Sequence, residues 1–205
     1  EFRRVLFRSS ARVINQGAAA PFKQTIKIDV GSSSGVEKNM TVINEAGLVG
    51  VVKSVSNDSA IVLLMNDPTF KVGVRIASTQ SVGVLSGEGG DNFIFQLLDP
   101  TGEIKVGDVL IARGSDGGRP FVPGVPVGIV TSIFSNPNAI TQTADVKSMA
   151  NLNSLGVVSV VTAAPKNDPR DSLVPKIFLP RIADSVTATA TPSASPSAKP
   201  SPTKK

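Results

Sequence analysis

The feature that most constrains this chain is a cadence. Short apolar runs rich in Val, Ile and Leu recur along it, most of them closed by Gly, Asn, Asp, Ser or Pro. Runs of this length are too short for helices and fit strands that cross a small sheet once. The first series falls at residues 11–14, 25–30, 40–43, 48–55, 60–64, 72–76 and 82–85, with turn-forming stretches at 31–35, 44–47 and 56–59. A second series follows at 93–98, 109–112, 127–134, 140–146 and 157–161. Only residues 145–155 have the pattern of a short helical turn. Nine Phe with no Tyr or Trp leave the core to branched aliphatics, which favour sheet. The expected fold is all-β: two small six-stranded-type β-barrels in tandem, residues 10–88 and 89–164, followed by a disordered tail.

The two series echo one another. Gly35-Val-Glu-Lys-Asn-Met-Thr-Val-Ile43 precedes Val49-Gly-Val-Val-Lys-Ser-Val55, and Glu103-Ile-Lys-Val-Gly-Asp-Val-Leu-Ile111 precedes Val127-Gly-Ile-Val-Thr-Ser-Ile133. Each time a charged turn leads into a strand, and a Val-Gly-x-Val-x-Ser-x strand follows. A glycine inside such a strand suits a bulge or a tight barrel corner. The echo predicts two related barrels meeting near residues 87–92, with strands able to cross between them.

Both ends differ from the middle. Residues 1–9 can be encoded in full by GAG TTC AGA CGT GTG CTC TTC CGA TCT, the end of a common sequencing-library adapter, and are set aside from the fold. Residues 165–205 are rich in Pro, Ser, Thr and Ala, too poor in apolar surface to offset the entropy of ordering, and are expected to be disordered. The formal charge of +5 lies in these ends. Residues 1–10 carry three Arg against one Glu, and residues 165–205 carry seven basic against three acidic residues. Residues 11–164 hold 11 basic and 12 acidic residues, so the folded part offers no basic face for nucleic acid.

The chain has no Cys and no His, which excludes Cys–His zinc sites, thiol nucleophiles and a Ser–His–Asp triad. Gly114-Ser-Asp-Gly-Gly118 has the look of a protease nucleophile loop with Ser and Asp reversed, and without a His base it reads as a glycine-rich turn. Gly31-Ser-Ser-Ser-Gly35 lacks the lysine and helix of a phosphate loop and also reads as a turn. Asp29, Glu45, Asp58, Asp67, Asp99 and Asp108 occur singly, mostly beside turn-forming residues that their side chains would cap. A cell-surface hydrolase using two of them as paired carboxylates is one rival reading. A cell-wall glycan-binding module is another, although the chain has no Trp or Tyr on which to stack a sugar. No catalytic residue, cofactor or metal is expected. The candidates for a partner-facing apolar patch are Phe93, Phe95, Phe121 and Phe134.

An ordered set of segments resembles the MreC family of rod shape-determining proteins. It runs from Ile26-Lys-Ile-Asp-Val-Gly-Ser-Ser-Ser-Gly-Val36 through Met40-Thr-Val-Ile43, Gly47-Leu-Val-Gly50 and Ser59-Ala-Ile-Val-Leu-Leu-Met-Asn-Asp-Pro68. Gly83-Val-Leu-Ser-Gly87 and Leu97-Leu-Asp-Pro100 follow, then Gly107-Asp-Val-Leu-Ile-Ala-Arg-Gly114 with Pro120-Phe-Val-Pro-Gly-Val-Pro-Val-Gly-Ile-Val130, and the final strand 152–161. The Pro-rich tail and the 120–128 wording are most similar to actinobacterial members. The resemblance spans about residues 11–162 and implies the extracytoplasmic β-domain of a protein anchored in the cytoplasmic membrane. The anchor and coiled coil of the family are not part of this sequence. It implies a non-catalytic scaffold of the elongation complex that organises peptidoglycan synthesis. The implied partners are MreD, class B penicillin-binding transpeptidases and the associated glycosyltransferase, with self-association in some members.

Overall fold

The structure is a computed structural model that describes residues 7–19, 22–99, 102–134 and 141–163. Among these residues the strands are β1 (Phe7–Ala19), β2 (Phe22–Ile28), β3 (Thr41–Ile43), β4 (Leu48–Val55), β5 (Ala60–Leu64) and β6 (Lys71–Ile76). They continue as β7 (Val82–Gly87), β8 (Asn92–Leu97), β9 (Val109–Ala112), β10 (Pro126–Phe134), β11 (Thr143–Ser148) and β12 (Val157–Ala163). Two single 3-10 turns, Ser32–Ser34 and Asp116–Gly118, are the only helical pieces among the described residues. No helix there is long and apolar enough to cross a membrane.

The strands close into two six-stranded barrels, β1-β12-β3-β4-β5-β2 and β10-β11-β8-β7-β6-β9. The cyclic order of the second, read from β9, is β9-β10-β11-β8-β7-β6. Read from β3, the first runs β3-β4-β5-β2-β1-β12. The two rings have the same connectivity, except that the strand equivalent to β6 comes last in the chain, as β12. The second barrel is thus inserted before the closing strand of the first.

The sequence echo falls on equivalent strands. Gly50 of β4 faces Leu64 and Gly128 of β10 faces Ser148, and the pairing slips after each, between Val52 and Ser54 and between Val130 and Ser132. A Cβ on Gly50 would lie 2.0 Å from the Leu63 carbonyl oxygen, and one on Gly128 would lie 2.6 Å from that of Lys147. The glycines let two strands close up where the barrel wall bends, and the bulge just beyond turns the strand.

Two expectations are corrected. The boundary does not fall near 87–92: those residues form the turn of the β7–β8 hairpin, with Gly87 paired to Phe93. The chain instead passes from one barrel to the other between Leu64 and Lys71, and β12 returns to the first, so neither 10–88 nor 89–164 is a closed unit. A Gly-rich stretch marks a turn whether it joins two domains or two neighbouring strands. Residues 145–155 form no helical turn, because β11 runs on through Ser148 with Ala144 and Val146 inward and Asp145 and Lys147 outward, the period of a strand.

Phe7–Ser9, the described part of the segment set aside as adapter-derived, extend β1 against β12, a backbone pairing open to any extended sequence. The tail expected at 165–205 lies outside the described residues.

The barrels share a seam. Outward residues of the first barrel, Thr41, Val49, Val51, Leu63 and Met65, are at most 3% exposed. This accounts for the unbroken buried run Leu48–Val52, which is apolar on both faces. The loop 113–125, joining β9 to β10, reaches across. Thr41 Oγ1 donates to the Pro120 carbonyl at 2.6 Å and accepts from the Val122 N–H at 3.0 Å. Arg119 meets Glu37 at 2.6 Å. Asp67, in the link between the barrels and fully buried, accepts from the N–H groups of Gln24 and Thr69.

Candidate partner-binding face

Three of the four candidate Phe residues are structural. Phe93 and Phe95 point into the second barrel and are 0% exposed, opposite Val146 and Ala144 of β11. The Phe95 ring fills the space where a side chain on Gly83 would stand, 2.2 Å from the ideal Cβ. Phe121 sits in the seam at 8% exposure, edge-on to Phe70 with centroids 5.5 Å apart. These rings have no face to offer a partner and are corrected to core. Phe134, at the far end of β10, is 53% exposed. The polar residues flanking them held the clue: Asn92 and Gln96 lie on the face of β8 opposite Phe93 and Phe95, and that face is the wet one.

Phe134 belongs to a larger surface. Register places Phe134, Thr143, Gln96, Val84 and Gly73 in one outward row across β10, β11, β8, β7 and β6. The neighbouring row is Ser132, Asp145, Ile94, Ser86 and Lys71. Beyond the first row, Leu98 donates its N–H to Val82 and is 55% exposed. Val82, Val84 and Ile94 are half-buried. On this stretch of the barrel wall Phe134 and Leu98 stand proud of smaller aliphatic and polar groups, with Asp145 and Lys71 in the second row.

Polar contacts tie neighbouring parts of the face together. Ser132 Oγ donates to Asp145 Oδ2 at 2.8 Å, and Gln96 Nε2 donates to Thr141 Oγ1 at 3.3 Å. Pro126 begins β10 against Gly47 of the first barrel, whereas Phe134 lies eight residues further along the strand, on the order of 25 Å away. Phe134 therefore lies at the end of β10 far from the seam. Sequence reasoning missed Val82, Val84, Ile94 and Leu98, although apolar residues on both faces of β7 were a signal that its outer face is not an ordinary wet surface.

Four of the six single carboxylates, Asp29, Asp58, Asp67 and Asp108, accept hydrogen bonds from backbone or side-chain donors. Asp29 accepts the N–H of Arg12 at 2.6 Å, Asp58 accepts from Asn57 at 3.0 Å, and Asp108 accepts the N–H of Lys105 at 2.8 Å. Glu45 is exposed in the turn closed by Asn44 and Gly47, and the Asp99 carbonyl accepts from Gly102. Among the described residues no group of three or more acidic side chains is placed to hold a metal ion. Residues 114–118 form a tight turn in which the Gly118 N–H bonds the Ser115 carbonyl, and the Ser115 N–H bonds that of Phe121. That turn sets Phe121 into the seam.

Residues 13–162 match the family profile for the rod shape-determining protein MreC, barrel core. The cell shape-determining protein MreC of Caulobacter vibrioides is 38% identical over 121 residues, 58% of this chain and 34% of that protein. The chain spans about a third to a half of the length of the curated relatives it matches. Among solved structures, MreC of Listeria monocytogenes aligns with TM-score 0.68 and 26% identity, over 80% of this chain and 81% of that one. A complex between penicillin-binding protein PBP2 and MreC from Helicobacter pylori aligns with TM-score 0.59 over 76% of this chain and 98% of that one. At 17% identity, that likeness shows the fold alone.

Proposed function

This chain belongs to the MreC family of rod shape-determining proteins, and from that premise we propose that it is a non-catalytic scaffold whose second barrel docks a class B penicillin-binding transpeptidase. In this reading the full protein acts at the extracytoplasmic face of the cytoplasmic membrane. There, with MreD and the glycosyltransferase of the elongation complex as further partners, it organises peptidoglycan synthesis. The observation that carries the reading is the open face around Phe134, held on a barrel locked to its neighbour through a dry seam. A scaffold works by presenting such a face in a fixed place, and docking biases the enzyme only through unequal affinity for two of its states. A complex between a penicillin-binding protein and an MreC has been solved for Helicobacter pylori, which makes a transpeptidase the first partner to test. Carboxylates engaged in these hydrogen bonds give the paired-carboxylate hydrolase no support.

The test is titration of this chain against the outer domain of a class B transpeptidase from a related bacterium. Saturable binding at micromolar or tighter affinity is expected, with Phe134→Ser weakening it by roughly thirtyfold, as for an aromatic anchor worth about 2 kcal/mol. Absence of binding by the folded chain would overturn the proposal.

A further inference from the structure

Gly73 has no structural reason to be glycine. Gly50, Gly83 and Gly128 are required because a Cβ would strike a neighbour, but around Gly73 nothing lies within 4 Å of that position. It is exposed in mid-strand, its φ lies outside the left-handed region, and β6 pairs with β7 and β9 without a register slip. A bulge and close packing are thereby excluded. A strand-interior glycine is less favourable than alanine, and one role for it is to let another chain or ligand come close.

The surroundings of that opening are cationic. Lys71 lies two residues before Gly73 on the same outward face, and Arg113, the first residue after β9, lies across from it, its N–H bonding the Gly73 carbonyl at 3.0 Å. Both side chains are exposed, and neither makes an ion pair or side-chain hydrogen bond among the described residues. The cross-strand neighbours of Lys71 and Gly73, Ser86 and Val84, are uncharged. The opening is also continuous with the face described above, since Gly73 pairs with Val84 and Lys71 pairs with Ser86 beside Ile94.

We infer that the opening at Gly73, between Lys71 and Arg113, receives an acidic side chain from the protein that docks on the Phe134 face. The inference rests on the scaffold reading and adds the chemistry of the partner: an apolar contact bordered on one side by carboxylates. A carboxylate between two cations fixes the register of docking and speeds encounter, and both effects weaken with salt.

The experiment is titration of the whole chain and its variants against the same transpeptidase outer domain at 50 and 300 mM NaCl. Lys71→Glu with Arg113→Glu should weaken binding at least tenfold at low salt and flatten the salt dependence. Gly73→Val, which fills open space and suits a strand, should weaken binding at least tenfold without lowering the thermal midpoint. Lys27→Glu, on the first barrel, should bind as the unmodified chain does. If Phe134→Ser weakens binding while the charge and Gly73 variants bind normally, the inference is overturned and the scaffold reading stands. If the unmodified chain does not bind at all, the reading fails and the inference falls with it.

Discussion

Replacing Gly50 by alanine tests whether the repeated Val-Gly-x-Val strand is a steric device. The new Cβ would lie 2.0 Å from the Leu63 carbonyl oxygen, 2.9 Å from its carbon and 3.1 Å from the Leu64 Cα. All three are backbone atoms of β5, so no rotamer change relieves the contact, and β4 must move off its partner. That move strains the Gly50–Leu64 and Val51–Leu63 pairings and opens the buried run Leu48–Val52. Overpacking of this kind costs about 3 kcal/mol, at the upper end of its usual range, and alanine returns only about 0.5–1 kcal/mol in backbone entropy. A net loss of roughly 2–2.5 kcal/mol with a urea slope of about 2 kcal/mol per molar lowers the midpoint by about 1–1.25 M. Gly73→Ala is the matched control: it meets nothing within 4 Å and should leave the midpoint unchanged or raise it. A midpoint for Gly50→Ala within experimental error of the unmodified chain would refute the close-approach reasoning.

Thr41→Val removes a hydroxyl that both donates and accepts across the dry seam and should cost about 1–3 kcal/mol by calorimetry, with Thr41→Ser recovering most of it. Glu37→Gln, by contrast, breaks a short ion pair whose side chains are 62% and 44% exposed, and its effect on the same midpoint should stay below about 1 kcal/mol. Phe93→Ser should unfold the second barrel or lower its midpoint severely, since it empties a fully buried site, while Phe134→Ser should leave the midpoint almost unchanged. Equal stability losses for those two would contradict their assignment to core and surface. Asp67→Ala leaves the part-buried N–H groups of Gln24 and Thr69 without their carboxylate acceptor, a loss of about 1–2 kcal/mol measurable by denaturation.

The local parts of this fold were legible because a strand carries its own signal. Runs such as 48–55, 60–64 and 109–112 have observed bounds identical to those read from the sequence, and the Val-Gly echo marks equivalent strands of two barrels with the same connectivity. What was not legible is what depends on pairing between distant residues. β12 closes the first barrel against β1 and β3 from more than a hundred residues away, and nothing in 157–161 says which barrel it joins. The glycines at 87, 89 and 90 made a hairpin turn resemble a linker for the same reason. Of the four candidate Phe residues, three are core and Phe134 is exposed. A two-residue period shows that Phe93 and Phe95 share a face, and only the polar pair Asn92 and Gln96 shows which face it is. Gly73 was invisible, because its meaning lies in the absence of neighbours in space.

Site-specific photo-crosslinking tests the central claim most directly, with a photoreactive residue placed in turn at Phe134 and at Ile14. Both positions are exposed apolar sites, 53% and 58% respectively, but Ile14 lies on the first barrel. Irradiation with the transpeptidase outer domain should give a crosslinked product from position 134 and none above background from position 14. Crosslinking from position 14 alone would contradict the assignment of the docking face to the second barrel.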